Sequence, residues 1–273
     1  NTIDASPYMT GAPETVEKDT FEGRFKNINM DLRVSANNIQ FGELNLESVA
    51  AVLGIQEENW VLDIGYSEAF EGTILAKLGE RIEEDTSQSF LELTARDLEP
   101  SALTTYFEKP ALNFNGKTDI DANLRTNTMP VGSFLKGLNG TLNATITNGS
   151  IEGINLLSLL NTEEESQNEG IGKGQTDFEK LELNAFLNNG IASIGQANAF
   201  FPDSKVQLIG DINFVDSGIA LTAQKVSENG PEKERLFIGG TLKNPLLSLR
   251  KGPQKPAPAK LPTLTQPTTP KSN

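Results

Sequence analysis

The chain alternates. Ile28, Met30, Leu32 and Val34 are apolar, while Asn29, Asp31, Arg33 and Ser35 between them are polar. Successive side chains of a strand point to opposite faces, so a period of two marks a strand with one buried and one wet face. The same texture returns at residues 44–48, 60–66, 72–78, 90–96 and 112–126. It continues at 181–187, 191–200, 206–214, 219–223 and 236–242. Hydrophobic residues make up 37% of the chain and aromatics 7%, which suits sheets wetted on one side better than doubly covered parallel sheet.

Breaks in the alternation predict short helices at 99–107, 130–138 and 154–161. An acidic, glycine-rich loop follows at 162–175. Residues 1–20 read as a loose lead-in, punctuated by Pro7, Gly11 and Pro13. Residues 250–273 read as a Pro-rich disordered tail. Between them lie a β-rich segment at 21–109 and a C-terminal β domain with short helices at 110–249. One internal repeat stands out: "LNATITNG" (142–149) recurs as "LNAFLNNG" (183–190). Asn-Gly accepts the positive φ of a type I′ turn at both central positions, so each copy predicts a hairpin. Ser217-Gly218 is a fainter echo. The expected fold is mainly β (α+β), a curved antiparallel meander with a few short helices and an open, groove-like architecture.

Composition closes much of chemistry. The chain has no Cys and no His. Disulfides, thiolate metal sites, cysteine nucleophiles, Ser-His-Asp chemistry and His ligands are therefore excluded. With 23 Lys plus Arg against 37 Asp plus Glu, the net charge is −14, which repels nucleic acid. Three Asn-x-Ser/Thr triplets fall at Asn139, Asn143 and Asn148. Strand alternation accounts for Asn143 and turn chemistry for Asn148 without any sugar. "DIDANL" (119–124) begins like a calcium loop but has Leu124 where the loop needs Gly. "GIGKGQT" (170–176) lacks the leading Gly of a phosphate loop and precedes a strand. Glu163, Glu164 and Glu165 form a solvated acidic run, since consecutive carboxylates repel. No enzyme activity, metal or cofactor is expected. What remains is a set of aliphatic stripes, which fit either an ordinary sheet core or a curved sheet whose apolar face receives hydrocarbon; Leu142, Ile146, Leu183, Leu187, Ile212 and Phe214 are the inward candidates.

The order of features from Asn115 to Leu160 resembles the C-terminal region of the AsmA family. The resemblance rests on Leu138, Gly140, Leu142, Ile146, Gly149, Ile151, Gly153, Ile154 and Leu156. It is extended by Thr176, Phe178 and Leu181, by the second hairpin at Asn189-Gly190, and by Gly240, Thr241, Leu242, Asn244 and Pro245. Residues 91–107 are similar to the family's strand plus short helix. The family's Gly-Gly before the preceding turn is replaced by Ala69-Phe70-Glu71-Gly72. The resemblance implies a non-enzymatic protein of outer-membrane biogenesis, with an apolar β-groove that handles phospholipid or another envelope lipid, as in larger TamB-type relatives. It implies a periplasmic location and an inner-membrane helix ahead of Asn1. The alternative reading is a structural module of an envelope assembly complex that meets protein partners through its sheet edges.

Overall fold

The structure, a computed structural model, describes residues 2–4, 28–41, 44–57, 59–83, 86–101, 112–127, 135–161, 173–227 and 230–251. These build one open sheet whose strands stand in chain order. After β1 (Thr2–Asp4) come β2 (Met30–Phe41), β3 (Leu44–Gln56), β4 (Asn59–Ala69), β5 (Gly72–Glu83), β6 (Thr86–Leu98), β7 (Asn113–Asn127) and β8 (Asn139–Glu152). A six-residue helix, α1 (Leu156–Asn161), precedes β9 (Gln175–Asn188), β10 (Ile191–Phe201) and β11 (Ser204–Asn213). The sheet ends with β12 (Gly218–Ser227), β13 (Gly230–Gly240) and β14 (Pro245–Lys251).

Every pairing from β2 to β14 is antiparallel, and β1 alone joins in parallel, against Asn38–Gln40. The curved meander expected from alternation is the fold. The expected division at 109/110 falls between β6 and β7, which pair from Gln88↔Asn127 to Leu98↔Thr118. Of the expected helices, the one at 154–161 forms as α1. At 130–138 the described part holds a single 3₁₀ turn at residues 135–137, and at 99–107 only residues 99–101 are described, with Pro100 and Ser101 also in 3₁₀ form. The acidic loop at 162–172, most of the lead-in and the tail beyond Lys251 lie outside the described residues.

The two Asn-Gly copies part company. Asn189 (φ 49) and Gly190 (φ 76) form the two-residue turn between β9 and β10, as expected. Asn148 (φ 50) does not turn the chain: β8 runs straight through it from Asn139 to Glu152. The β7–β8 register slips there, with Asn148 and Gly149 of β8 standing opposite the single Gly116 of β7, so Asn148-Gly149 is a β-bulge. Asn tolerates the left-handed region in either setting, and Ile151 resumes the alternation beyond it. Similar slips interrupt β3–β4, β4–β5, β6–β7, β9–β10, β10–β11 and β12–β13. Each bulge adds local twist, and together they curl the sheet.

The β4–β5 hairpin closes on Phe70 (φ 52) and Glu71 (φ 63), both left-handed and both carrying a Cβ. Phe70 is held by the cluster of Val49, Ala51 and Ala69 beside it, whereas Glu71 is exposed. Replacing Glu71 by glycine removes a steric penalty of about 1 kcal/mol. Glu71→Gly is therefore expected to raise the melting temperature by about 3 °C in a thermal scan. A fall would mean that the Glu71 side chain itself supports the turn.

The helix α1 is short but tethered. Asn155 caps it, its Oδ1 accepting from the Ser158 N–H at 3.0 Å. The buried Thr176 hydroxyl accepts from the Leu156 N–H (2.8 Å) and donates to the Ile154 carbonyl (2.7 Å). Ile154, Leu156 and Leu160 then pack with Phe178, Phe201, Val206, Ala223, Leu236 and Leu249 in the largest core cluster.

Candidate functional site

Strand register, which no single segment reveals, assembles the aliphatic stripes into rows that cross the sheet. One row starts at Val34 on β2 and passes through Ala51, Ile64, Ala76, Leu93 and Ala122 to β7. It continues through Leu142, Ala185, Ile194, Gly210, Leu221 and Ile238 to Leu247 on β14. Each strand from β2 to β14 contributes an apolar residue or glycine. With neighbouring strands about 4.8 Å apart, the row is about 60 Å long.

Two more rows flank it. On one side Leu32, Leu53, Leu62, Leu78, Leu91 and Leu124 are cross-strand partners on β2 to β7, an unbroken ladder of leucines. On the other, Ile74, Ala95, Ile120, Ala144, Leu183 and Ala197 run from β5 to β10. Leu208, Ala223, Leu236 and Leu249 carry that row to β14. Neighbouring rows lie two residues apart along the strands, so the apolar strip is about 14 Å wide.

From β5 to β12 large and small side chains alternate within the central and third rows, and they do so out of phase. The cause is local. β5 reads Ile74-x-Ala76, β6 Leu93-x-Ala95, β7 Ile120-x-Ala122, β8 Leu142-x-Ala144 and β9 Leu183-x-Ala185. Antiparallel neighbours reverse this unit, so each large residue faces a small one, and a checkerboard results. The repeated "LNA" of β8 and β9 is one instance of it. Ala95 and Ala223 are fully buried beneath their neighbours, while Leu91, Leu93, Ile120, Leu142 and Leu183 remain half-buried.

The strip has a polar margin beyond the leucine ladder. There Ile55, Trp60, Glu80, Ser89 and Thr126 are successive cross-strand partners. Glu80 is buried, accepting a hydrogen bond from Trp60 Nε1 at 3.2 Å and another from the Ser87 hydroxyl. The opposite face of the sheet is largely polar, with scattered exposed apolar residues such as Leu75 and Phe186. Arg96 there grips Asp121 with two hydrogen bonds, of 2.8 and 3.1 Å, and this contact holds the Asp121 carboxyl below its usual range.

All six residues singled out from the sequence lie on the inner, packed side. Leu142, Leu183, Ile212 and Phe214 pack against the cluster built on Leu187, Ala192 and Ile194, and Ile146 packs against the cluster that holds α1. Leu187 is 2% exposed, a core residue of this half. The C-terminal half is covered from within: α1 lies over one margin, and Leu138 enters the core at the other. The leucine ladder on β2–β7 is the more accessible half, and its residues were not among the six. Its β4–β5 hairpin turns on Phe70-Glu71, which lacks the Asn-Gly signature, so the register there was not readable.

The third sequon is also accounted for. Asn139 Oδ1 accepts from the Asn189 N–H at 3.1 Å and so braces the β9–β10 turn. Among the described residues, no three His, Cys, Asp or Glu side chains converge on a possible metal position. No helix there is long and apolar enough to cross a membrane.

The AsmA family model matches residues 8–196, more than half of the chain. No curated protein and no solved structure matches the chain.

Proposed function

The chain belongs to the AsmA family, a non-enzymatic family of the bacterial envelope associated with outer-membrane biogenesis, and on that premise we propose that it handles lipid along its inner face. The observation carrying this reading is the uninterrupted apolar row from Val34 to Leu247. A hydrocarbon chain laid on the strip leaves water at about 25 cal/mol per Å² and needs no stereospecific polar contact. At about 14 Å across, the strip is wider than one acyl chain, which favours phospholipid over a single fatty acid. A periplasmic place, tethered to the inner membrane, belongs to the same proposal.

Protein purified from a bacterial envelope and sprayed under native conditions is expected to carry phospholipid, released on denaturation and identified by mass. Protein that takes up no lipid, either in the cell or from vesicles of phosphatidylethanolamine and phosphatidylglycerol, would sink the reading.

A further inference from the structure

The edge of β2 carries a second message. From Met30 to Asn37 its outer edge has no strand partner among the described residues; β1 occupies only Asn38–Gln40. Unprotected edges of this kind are templates for pairing with another strand. Among the described residues, β2 itself has no proline, pairs with β3 without a shift of register, and points no charge inward. Two of its inward residues are well exposed, Met30 at 40% and Leu32 at 45%.

We propose that this edge pairs with the same edge of a second copy, antiparallel and two-fold symmetric about Leu32. The sequence around Leu32 is self-complementary. With Leu32 opposite Leu32 of the partner subunit, Met30 meets Val34, Asn29 meets Ser35, and Asp31 meets Arg33 in both directions. Opposite charges directly across an antiparallel pair stabilise it, and like charges oppose it. The neighbouring registers fail on this ground. Shifting by two residues one way sets Asp31 against Asp31, and the other way sets Arg33 against Arg33. Shifting by one turns the apolar residues toward the wrong face. Asp31 and Arg33 are well exposed and lie 3.8 Å apart on one face, so a pairing strand would form a ring of alternating charge with them. The matching segment, 28–36, does not overlap Asn38–Gln40, the residues that pair with β1. β14, at the far end of the sheet, offers no such match: about Ser248, its Arg250 would oppose Leu246.

Symmetric dimers joined through one self-complementary patch are the commonest oligomers. In this one the leucine ladders of two copies meet at Leu32, so two apolar strips become one. The inference does not rest on the lipid reading, and its test reads association alone.

The chain has no cysteine, so single cysteines report on contact directly. Leu32→Cys is expected to form a disulfide-linked dimer under mild oxidation, whereas Val52→Cys, on the other face of β3, is not. In sedimentation velocity at about 100 μM, where a specific interface of ordinary size is saturated, the unmodified protein is expected to run as a dimer. Asp31→Arg and Arg33→Asp are each expected to weaken it about tenfold or more, and the double exchange Asp31→Arg/Arg33→Asp to restore it. Both side chains are exposed, so circular dichroism should be unchanged throughout. A monomeric protein would overturn the proposal. So would a dimer indifferent to both single reversals, or one that crosslinks through Leu246→Cys on β14 in place of Leu32→Cys.

Discussion

Leu91→Glu is expected to empty the protein of phospholipid while leaving its sheet intact. Leu91 stands in the leucine ladder between Leu78 and Leu124 and is half-buried. A carboxylate there faces any hydrocarbon on the strip. Burying it unpaired costs several kcal/mol, against about 0.8 kcal/mol gained per buried methylene. Retention should fall by about a hundredfold or more. With no lipid bound, the new carboxylate keeps contact with water, so the loss of stability stays near about 1–2 kcal/mol. The matched control is Leu75→Glu on the opposite face of β5, where Leu75 is already exposed; it should keep its lipid. Native mass spectrometry of the two variants decides the matter. Equal lipid content in both would mean that the inner face is not where lipid lies.

The second large effect concerns stability. Phe178→Ala is expected to cost about 3–5 kcal/mol and to lower the melting temperature by about 10 °C. Phe178 is 4% exposed and sits between β8, α1 and the β13–β14 end of the core. Its ring presses on Gly149 so closely that a Cβ there would come within 2.7 Å of it. The backbone on that side is already as near as it can be, so the cavity cannot collapse from there. α1 loses part of the surface on which it rests, which β9 shares with β13. Retaining Phe178 while replacing Gly149 by alanine should destabilise as well, because the new methyl would collide with the Asn115 carbonyl oxygen and with the ring. A loss below about 1 kcal/mol for Phe178→Ala would show that α1 repacks freely.

How much of this was legible follows from what each signal measures. Alternation is a property of one strand, and it located most strands of the meander from the sequence alone. Pairing is a property of two strands and of the turn between them. Where the turn announced itself, at Asn189-Gly190, the register of β9 and β10 followed. Where the same dipeptide sat inside a continuing strand, at Asn148-Gly149, the local chemistry was identical and the reading went wrong. The left-handed residue is common to a turn and a bulge; only the partner strand distinguishes them. The turns from β3 to β5 use Glu57, Phe70 and Glu71, which carry no turn signal. Thus the leucine ladder stayed hidden although every leucine in it was visible. The six residues chosen for hydrocarbon contact came from the half whose register could be guessed, and that half is the one its own helix covers.

The checkerboard has a consequence for anything that lies on it. Along the central row, contact swells at each leucine or isoleucine and ebbs at each alanine or glycine. Along the third row it swells and ebbs one strand later. An acyl chain broad enough to touch both rows therefore trades one bump for another as it advances, and the sum hardly changes. On the proposed reading, such a surface would hold a lipid against water without giving it a place to stop. Grip and mobility, which compete in a pocket, are here set by different directions: grip by the depth of the strip, mobility by its length.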